Sequence, residues 1–439
     1  MGGELHRRLH YTGLTMIAVG ACIGSGIFIT PAQSLAALPH AGLVLITWFV
    51  GGLVSCMGAI SFSELGAQFR GTGGVYTYIS EAYGDLAGFL YGWIILLIVN
   101  TGALAALGMA LASFITVYYP LTETGKVAFA MIVIWGLTAI NIFGVQVSQI
   151  FSQIFTGMKV AAMGIIVMTG IYFIPEMNHE INLNIFNNIP DNFISGMLIT
   201  FIGVFWSMGG WHHATYLAGE AIEPEKTVPR AMVTGTMLVT FIYISVIASY
   251  MMLLPADVIA QSDKVAGEAM GKYLSWGNYF ITAVITISIF GTIGIYTMTA
   301  PRIYYAMAKD GLFFSFTADV SSTYGTPYKA MLFQAFWASV ILIIWKTFSN
   351  IITFVTFMDI IFMALATASV FIFRKRKSYT SPFRMILYPA APITYLLITL
   401  SFVGYTLYTL NTASLAGVGI LILGIPAYYF FKSRRSSKT

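Results

Sequence analysis

The sequence predicts an all-α integral membrane protein of about twelve spans, and three observations carry that prediction. Hydrophobic residues make up 58% of the 439-residue chain and charged residues only 9%, against roughly 25% charged in a soluble domain. Apolar stretches of about 18 residues or more recur from residue 12 to residue 431, each long enough to cross a hydrocarbon core of about 30 Å as a helix. The runs are apolar on every side and lack the alternation of a membrane β-barrel strand.

In chain order the spans fall near 12–35, 41–66, 86–119, 125–143, 147–175, 194–218, 228–255, 277–307, 328–346, 349–373, 387–409 and 413–431. A short basic segment, His6, Arg7 and Arg8, runs into the first span with no A-x-A-type cleavage site. Insertion through internal spans is therefore expected. The short termini point to a prokaryotic source. Both cysteines, Cys22 and Cys56, lie inside spans, which argues against a disulfide framework.

The net charge of +5 is explained by where the basic residues lie, so no nucleic-acid partner is expected. With the N-terminus cytoplasmic, that side receives Arg7, Arg8, Arg70, Lys226, Arg230, Arg302, Lys309, Lys329, Arg374, Lys375, Arg376, Lys377, Arg384, Lys432, Arg434, Arg435 and Lys438, which is 17 of the 22 basic residues. The other side receives Lys126, Lys264, Lys272 and Lys346, and Lys159 is left inside a span. This asymmetry assigns both termini to the cytoplasm by the positive-inside rule. The outer loop at 176–193 carries Glu176, Glu180 and Asp191 without Lys or Arg, in the same sense. Residues 71–85 read as an amphipathic connector on the inner face.

Two spans are interrupted by glycine. The first contains Gly20-Ala21-Cys22-Ile23-Gly24-Ser25-Gly26-Ile27-Phe28 and the sixth contains Trp206-Ser207-Met208-Gly209-Gly210-Trp211. Each glycine weakens a helix by about 1 kcal/mol relative to alanine. Two such spans in corresponding positions are the pointer to inverted repeats with a midplane binding site. A break in the first span would free the N–H groups of Ser25, Gly26 and Ile27 at the positive end of a half-helix, where a carboxylate is favoured. The carbonyls of Ala21, Cys22, Trp206, Ser207 and Gly209 would then accept from an ammonium. The main chain alone would thus read the zwitterion shared by all amino acids. A competing reading is that these glycines only let helices approach closely. A dinucleotide fingerprint at Gly24 fails because its third glycine and preceding strand are missing.

The residues that carry a resemblance are Ile23-Gly24-Ser25-Gly26-Ile27-Phe28; the segment Gly73-Gly74-Val75-Tyr76-Thr77-Tyr78-Ile79 with Glu81, Gly84 and Trp93; and Gly209-Gly210-Trp211 with Gly219-Glu220 and Pro224-Glu225 to Pro229. They continue with Arg302-Ile303-Tyr304-Tyr305-Ala306-Met307-Ala308-Lys309-Asp310-Gly311-Leu312 and Thr326-Pro327. Over nearly its whole length the chain resembles the amino acid/polyamine/organocation superfamily, and within it the L-type and asc-type exchangers. The resemblance implies one transporter domain over 1–439, with 12–175 and 194–373 as inverted five-helix repeats and 387–431 as two further helices. It implies a LeuT-like fold with spans 1 and 6 unwound, and alternating access by rocking of spans 1, 2, 6 and 7 against a scaffold. It places Trp206 as an aromatic gate over the substrate, against the plainer reading of a membrane tryptophan as a packing or interfacial residue.

Lys159 lies mid-span, where a lysine costs about 2.5–3.5 kcal/mol on insertion scales, so it needs a partner or a role. By resemblance, it is the cation that replaces sodium between spans 1 and 8, and Tyr243 matches a tyrosine that joins the same network. A fixed charge there implies a sodium-independent exchanger, which the resemblance makes one of small or medium neutral L-amino acids; an amine that exchanges its proton implies proton-coupled symport. Asp359 in span 10 keeps a cationic amino acid or polyamine substrate open. The same resemblance brings His212, His213 and Asp359 to the distal end of the pocket, where a His212–Asp359 hydrogen bond is expected, with His213 as the alternative donor.

No cofactor or metal is expected: adjacent histidines point about 100° apart on a helix and the H-E-x-x-H spacing is absent. An enzyme is disfavoured for want of a nucleophile set, and a channel or receptor is the other competing class. The segment Tyr118 to Lys126 contains no cysteine, so no disulfide-linked heavy subunit is expected. Amino acids and the bilayer of the inner (plasma) membrane are the expected partners.

Overall fold

The computed structural model describes residues 5–116, 118–344, 348–408 and 412–436. Among these, secondary structure is helical apart from one isolated bridge between Leu9 and Ala221. Lys346 and Lys438, used in the charge count above, lie outside the described residues.

The first apolar run folds as two helices, α1 (Tyr11–Cys22) and α2 (Gly26–Ala37), bent by 41° at the break between them. The second forms α3 (Ala41–Gln68), followed by a short surface helix α4 (Val75–Tyr83) where the sequence predicts a connector. Gly74, with φ +49°, turns the chain into α4, and a Cβ there would meet the Thr215 backbone at 2.8 Å. The third run is α5 (Asp85–Ile94), a π-turn over Ile95–Val99 and α6 (Asn100–Ile115). At 94% buried it is the most enclosed span among those of the described residues. Then come α7 (Glu123–Ile142) and α8 (Val145–Tyr172).

The sixth run breaks after α9 (Phe193–Met208) and resumes as the one-turn helix α10 (His213–Tyr216). Beyond it stand α11 (Pro224–Leu253), the short α12 (Ala256–Gln261) and α13 (Val265–Tyr273), α14 (Gly277–Thr299) and α15 (Pro301–Lys309). The chain ends in α16 (Tyr328–Ile344), α17 (Phe348–Lys375), α18 (Ala390–Tyr408) and α19 (Thr412–Ser436). Nine helices of the described residues are long and apolar enough to cross a membrane, or ten with the bent α1–α2 pair. This is a multi-pass membrane fold.

Small residues let these helices close on one another. The broken first span lies between α11 and α8, and α11 packs most extensively on α3 and α1. At the α1–α11 crossing a Cβ on Gly235 would come within 2.9 Å of Ala18 Cβ. Both described ends of the chain reach the same face: Arg7 and Lys309 border one cavity, Lys309 and Arg435 the next. On the opposite face the loop 176–193 is tied down by Gly42 N–H to Asn182 O, 3.0 Å, and by His179 Nε2 and Met251 O, 2.8 Å apart.

Candidate functional site

At the break in the first span, the carbonyl ends are met by donors from three other helices. Lys159, at the middle of α8 and fully buried, donates through Nζ to Gly20 O at 2.9 Å, Ile23 O at 2.7 Å and Thr292 Oγ1 at 2.7 Å. Three acceptors match the three N–H bonds of an ammonium. From α14, Ser288 Oγ lies 3.0 Å from Ile23 O and 3.1 Å from Gly24 O, while Thr292 Oγ1 lies 2.9 Å from Ile23 O. From α11, the Tyr243 hydroxyl lies 2.9 Å from Cys22 O and 3.1 Å from Ser207 O. Its single proton is shared between the two broken spans.

The amide side of the same break is different. Among the described residues no protein acceptor meets the N–H groups of Ser25, Gly26 or Ile27. All three residues are buried, and Ser25 Oγ is buried without a partner. A helix N-terminus that leaves buried donors open is a site for an anion. Gly26 also packs directly on the other break: a Cβ there would lie 2.9 Å from Ser207 Cβ and 3.0 Å from Ser207 Cα. Gly24, in contrast, would meet nothing closer than 3.6 Å.

At the second break Gly209 leaves the helix with ψ 156°, and Gly210 takes φ +109°, where a Cβ would press within 2.8 Å of Ala21 C and O. Among the described residues no donor reaches the carbonyls of Trp206 and Gly209. Two of the five carbonyls expected to receive an ammonium are already engaged, Cys22 and Ser207, both by Tyr243. This corrects the sequence reading, which left all five open.

A cavity of about 40 Å³ borders the second break. Trp206, half-buried, and Gly209 line it from the break, His212 and His213 from α10's start, and Asp359 from α17. The expected His212–Asp359 hydrogen bond is absent, and His213 is not its substitute. His213 Nδ1 instead faces Thr299 Oγ1 at 2.5 Å, and its ring lies 4.3 Å from that of Tyr296. Asp359 Oδ1 is left buried and unpartnered, as are Asn100 Nδ2 and Thr356 Oγ1 on the same cavity wall. Asn100 follows the π-turn, a feature that often marks functional sites, and the Thr101 hydroxyl donates to the turn's Leu96 O at 2.6 Å.

Sequence reasoning missed several residues here. Ser288, Thr292, Asn100 and Thr356 carry no motif. Glu220 and Arg302 sit in recognisable motifs without an assigned role, yet they form a fully buried ion pair, Arg302 Nε to Glu220 Oε1 at 2.8 Å and Nη2 to Oε2 at 3.1 Å. The backbone oxygen of Glu220 also accepts from Arg8 N at 2.8 Å and Leu9 N at 2.9 Å. The N-terminal strap is thereby held onto the segment after α10.

This arrangement, with two interrupted apolar helical runs meeting at their breaks, agrees with what comparison with known proteins finds. The amino acid permease profile matches residues 9–425. The serine/threonine exchanger SteT of Bacillus subtilis is 31% identical over 432 residues, covering 97% of this chain and 96% of that protein. The large neutral amino acids transporter small subunit 2 of Mus musculus is 28% identical, covering 98% of this chain and 81% of its own length. The asc-type amino acid transporter 1 of Mus musculus is also 28% identical, with 98% and 82% covered. A likeness that runs through both breaks and nearly every span leaves one reading of the fold's purpose: the chain belongs to the amino acid permease family, whose members are transporters and not enzymes.

Proposed function

We infer that this permease exchanges small or medium neutral L-amino acids across the plasma (inner) membrane without sodium, by alternating access. The carrying observation is the pair of unlike ends at the two breaks: buried open amides at Ser25, Gly26 and Ile27, and open carbonyls at Trp206 and Gly209. The first suits a carboxylate and the second an ammonium. Ala21, Cys22, Ile23 and Gly24 give the first break its shape, and Ser207 joins it to the second. Trp206, on the cavity wall, is the proposed gate.

Lys159 supports sodium independence. Its Nζ occupies the space between α1 and α14, held by three acceptors, and Tyr243 ties the same carbonyl cluster to the sixth span. The names of the relatives, a serine/threonine exchanger, a large neutral amino acid transporter and an asc-type transporter, support the substrate class. In this reading the chain has twelve spans, α16 and the α19 region completing the count, with 12–175 and 194–373 as inverted repeats and 387–431 as the remaining helices. Both termini are cytoplasmic, since they share the face that collects the basic residues, and no disulfide-linked partner is needed.

The second reading is a cationic amino acid or polyamine substrate, and Asp359 favours it: its carboxylate is buried beside the cavity with one oxygen unpartnered. Purified protein in liposomes separates the alternatives. Uptake of labelled serine is expected only into vesicles preloaded with a neutral amino acid, unchanged by sodium or a pH gradient. Uptake into empty vesicles driven by a proton gradient would replace exchange by symport. Counterflow with lysine or putrescine stronger than with serine, alanine or leucine would establish the second reading.

A further inference from the structure

Two cavities face each other across one short segment. The cavity of about 40 Å³ at the second break reaches Tyr216. A wider one of about 600 Å³, on the face that carries both described ends, reaches Thr72 and Gly219. Residues 216–219 run from one to the other, so whatever holds this segment shut separates the break from that face.

Every residue from Trp211 to Ala218 is buried, and successive residues are met by different elements. The hydroxyls of Tyr216 and of Tyr91 on α5 lie 2.7 Å apart. A Cβ on Gly219 would lie 3.0 Å from Thr72 N. At the end of the segment Glu220 is gripped from two sides. Its carboxylate takes the guanidinium of Arg302 on α15, with neither side chain exposed. Its backbone oxygen accepts from Arg8 N and Leu9 N, while Ile222 N donates back to Leu9 O at 2.9 Å. Leu9 is fully buried, and Arg8 Nη1 donates to Gln146 Oε1 of α8 at 2.9 Å. Through one residue the segment is therefore tied to α15 directly and to α8 by way of the N-terminal strap.

A buried ion pair is a poor device for stability alone, because the desolvation of two charges offsets much of their attraction. It suits a contact that must both hold and release, since the charges regain their hydration when they separate into water. Neither Glu220 nor Arg302 lines the cavity at the second break, so the pair is placed to control passage and not to select the side chain.

We propose that the Glu220–Arg302 pair, clamped by the N-terminal strap, is the latch that keeps the segment after the second break shut, and that it parts when substrate leaves toward the face carrying the chain ends. The proposal rests on the transport reading above, in which that face is the inner one.

The test uses the full chain in vesicles of one orientation. Thr215→Cys puts a thiol at a fully buried point of the segment, and its reaction with an impermeant maleimide from the inner side reports how often the segment opens. Cys22 and Cys56 are buried, and the parent without the added thiol supplies the background. In that setting Glu220→Gln with Arg302→Met, which removes both charges together, should speed labelling by about tenfold or more. The ratio of inner to outer half-saturation concentrations for serine exchange should fall by the same factor, because apparent affinity on each side scales with the fraction of protein open to it. Glu223→Gln with Lys226→Gln removes an exposed pair just beyond the segment and should leave both readouts as in the parent. If the double latch variant is too unstable to purify, Leu9→Ala loosens the strap while keeping the ion pair and should shift both readouts the same way by about threefold. An unchanged labelling rate, or inner and outer half-saturation concentrations that change by one common factor, would show that the pair only supports the fold and would overturn the latch. If the unmodified protein exchanges no neutral amino acid, the transport reading fails while the labelling rates still decide the latch.

Discussion

The two breaks are built in opposite ways. In the first span the broken carbonyl end is saturated by the protein's own groups, Lys159, Ser288, Thr292 and Tyr243. At the sixth span the carbonyls of Trp206 and Gly209 have no protein donor among the described residues, and the neighbouring cavity holds unpartnered atoms of Asn100, Thr356 and Asp359. An unmade hydrogen bond inside a membrane protein costs several kcal/mol relative to a made one. The carbonyl end of the first break is therefore a fixed fitting, stable in the absence of substrate, while its amide end at Ser25, Gly26 and Ile27 stays open. The second break is left for a ligand to complete, and side-chain selection belongs there.

The comparison is broken most directly at Lys159. Lys159→Ala removes the ammonium and its three hydrogen bonds from the first break, leaving Gly20 O and Ile23 O only the hydroxyls of Thr292 and Ser288. Losing charge-assisted bonds to buried acceptors costs about 1.5–3 kcal/mol each, so exchange should fall at least about a hundredfold in protein that still inserts and purifies. A half-maximal rate in this variant, measured by serine counterflow, would show that the first break is not held by its cation. Sodium-stimulated exchange in the unmodified protein would contradict the same assignment.

The junction between the breaks gives the next largest effect. Gly26 faces Ser207 with its would-be Cβ 2.9 Å from Ser207 Cβ and 3.0 Å from Ser207 Cα. Gly26→Val must therefore push α2 away from the end of α9 before it blocks a carboxylate. Overpacking of this kind costs about 1–3 kcal/mol, and a wedge between the two breaks should lower exchange by about tenfold or more. Apparent substrate affinity and rate should both suffer. Normal counterflow in Gly26→Val would mean that the breaks do not need to touch.

The contrast also explains what was legible beforehand. Glycines announce a break because a helix tolerates them poorly, and Lys159 announces itself because a lysine at mid-membrane is expensive. Both signals are local and chemical. Thr292 was invisible because its hydroxyl lies within 3.1 Å of Ser288 O, the ordinary i−4 bond of a membrane threonine, as well as 2.7 Å from Lys159. Glu220 and Arg302 pair across 82 positions, and nothing in either local sequence says they meet. His212, with His213 as the alternative donor, was expected at Asp359 from the family resemblance, whereas the neighbour of His213, Thr299, is fixed by the register of α14 against α10. The multi-pass helical character and the positions of both breaks could be read from composition and glycine. The partners that saturate one break and not the other depend on helix rotation, which apolar-all-round spans do not encode.

The smallest expected effect is the sharpest check on the claim that the carbonyl end of the first break is a fixed fitting. Gly24 lies between Ile23 and Ser25 at the centre of the break, and by sequence logic alone it is as critical as Gly26. The structure separates them. Gly24 is not among the glycines with positive φ, and a Cβ on it would lie 3.6 Å from Leu107 Cδ2 and from Thr292 Oγ1, ordinary contact distances. Its carbonyl, held by Ser288 Oγ at 3.1 Å, is unaffected by adding a methyl group. Alanine does restore about 1 kcal/mol of helix propensity, which would favour closing the break. Against that stand the donors from Lys159, Ser288 and Thr292, which reward the open geometry at Gly20, Ile23 and Gly24 together. If those donors dominate, Gly24→Ala should exchange within about twofold of the parent, with no change in substrate ranking. A loss comparable to that of Gly26→Val would show that the break depends on glycine flexibility at residue 24 and moves during the cycle, and the division between a first break fixed at its carbonyl end and an adaptable second one would have to be abandoned.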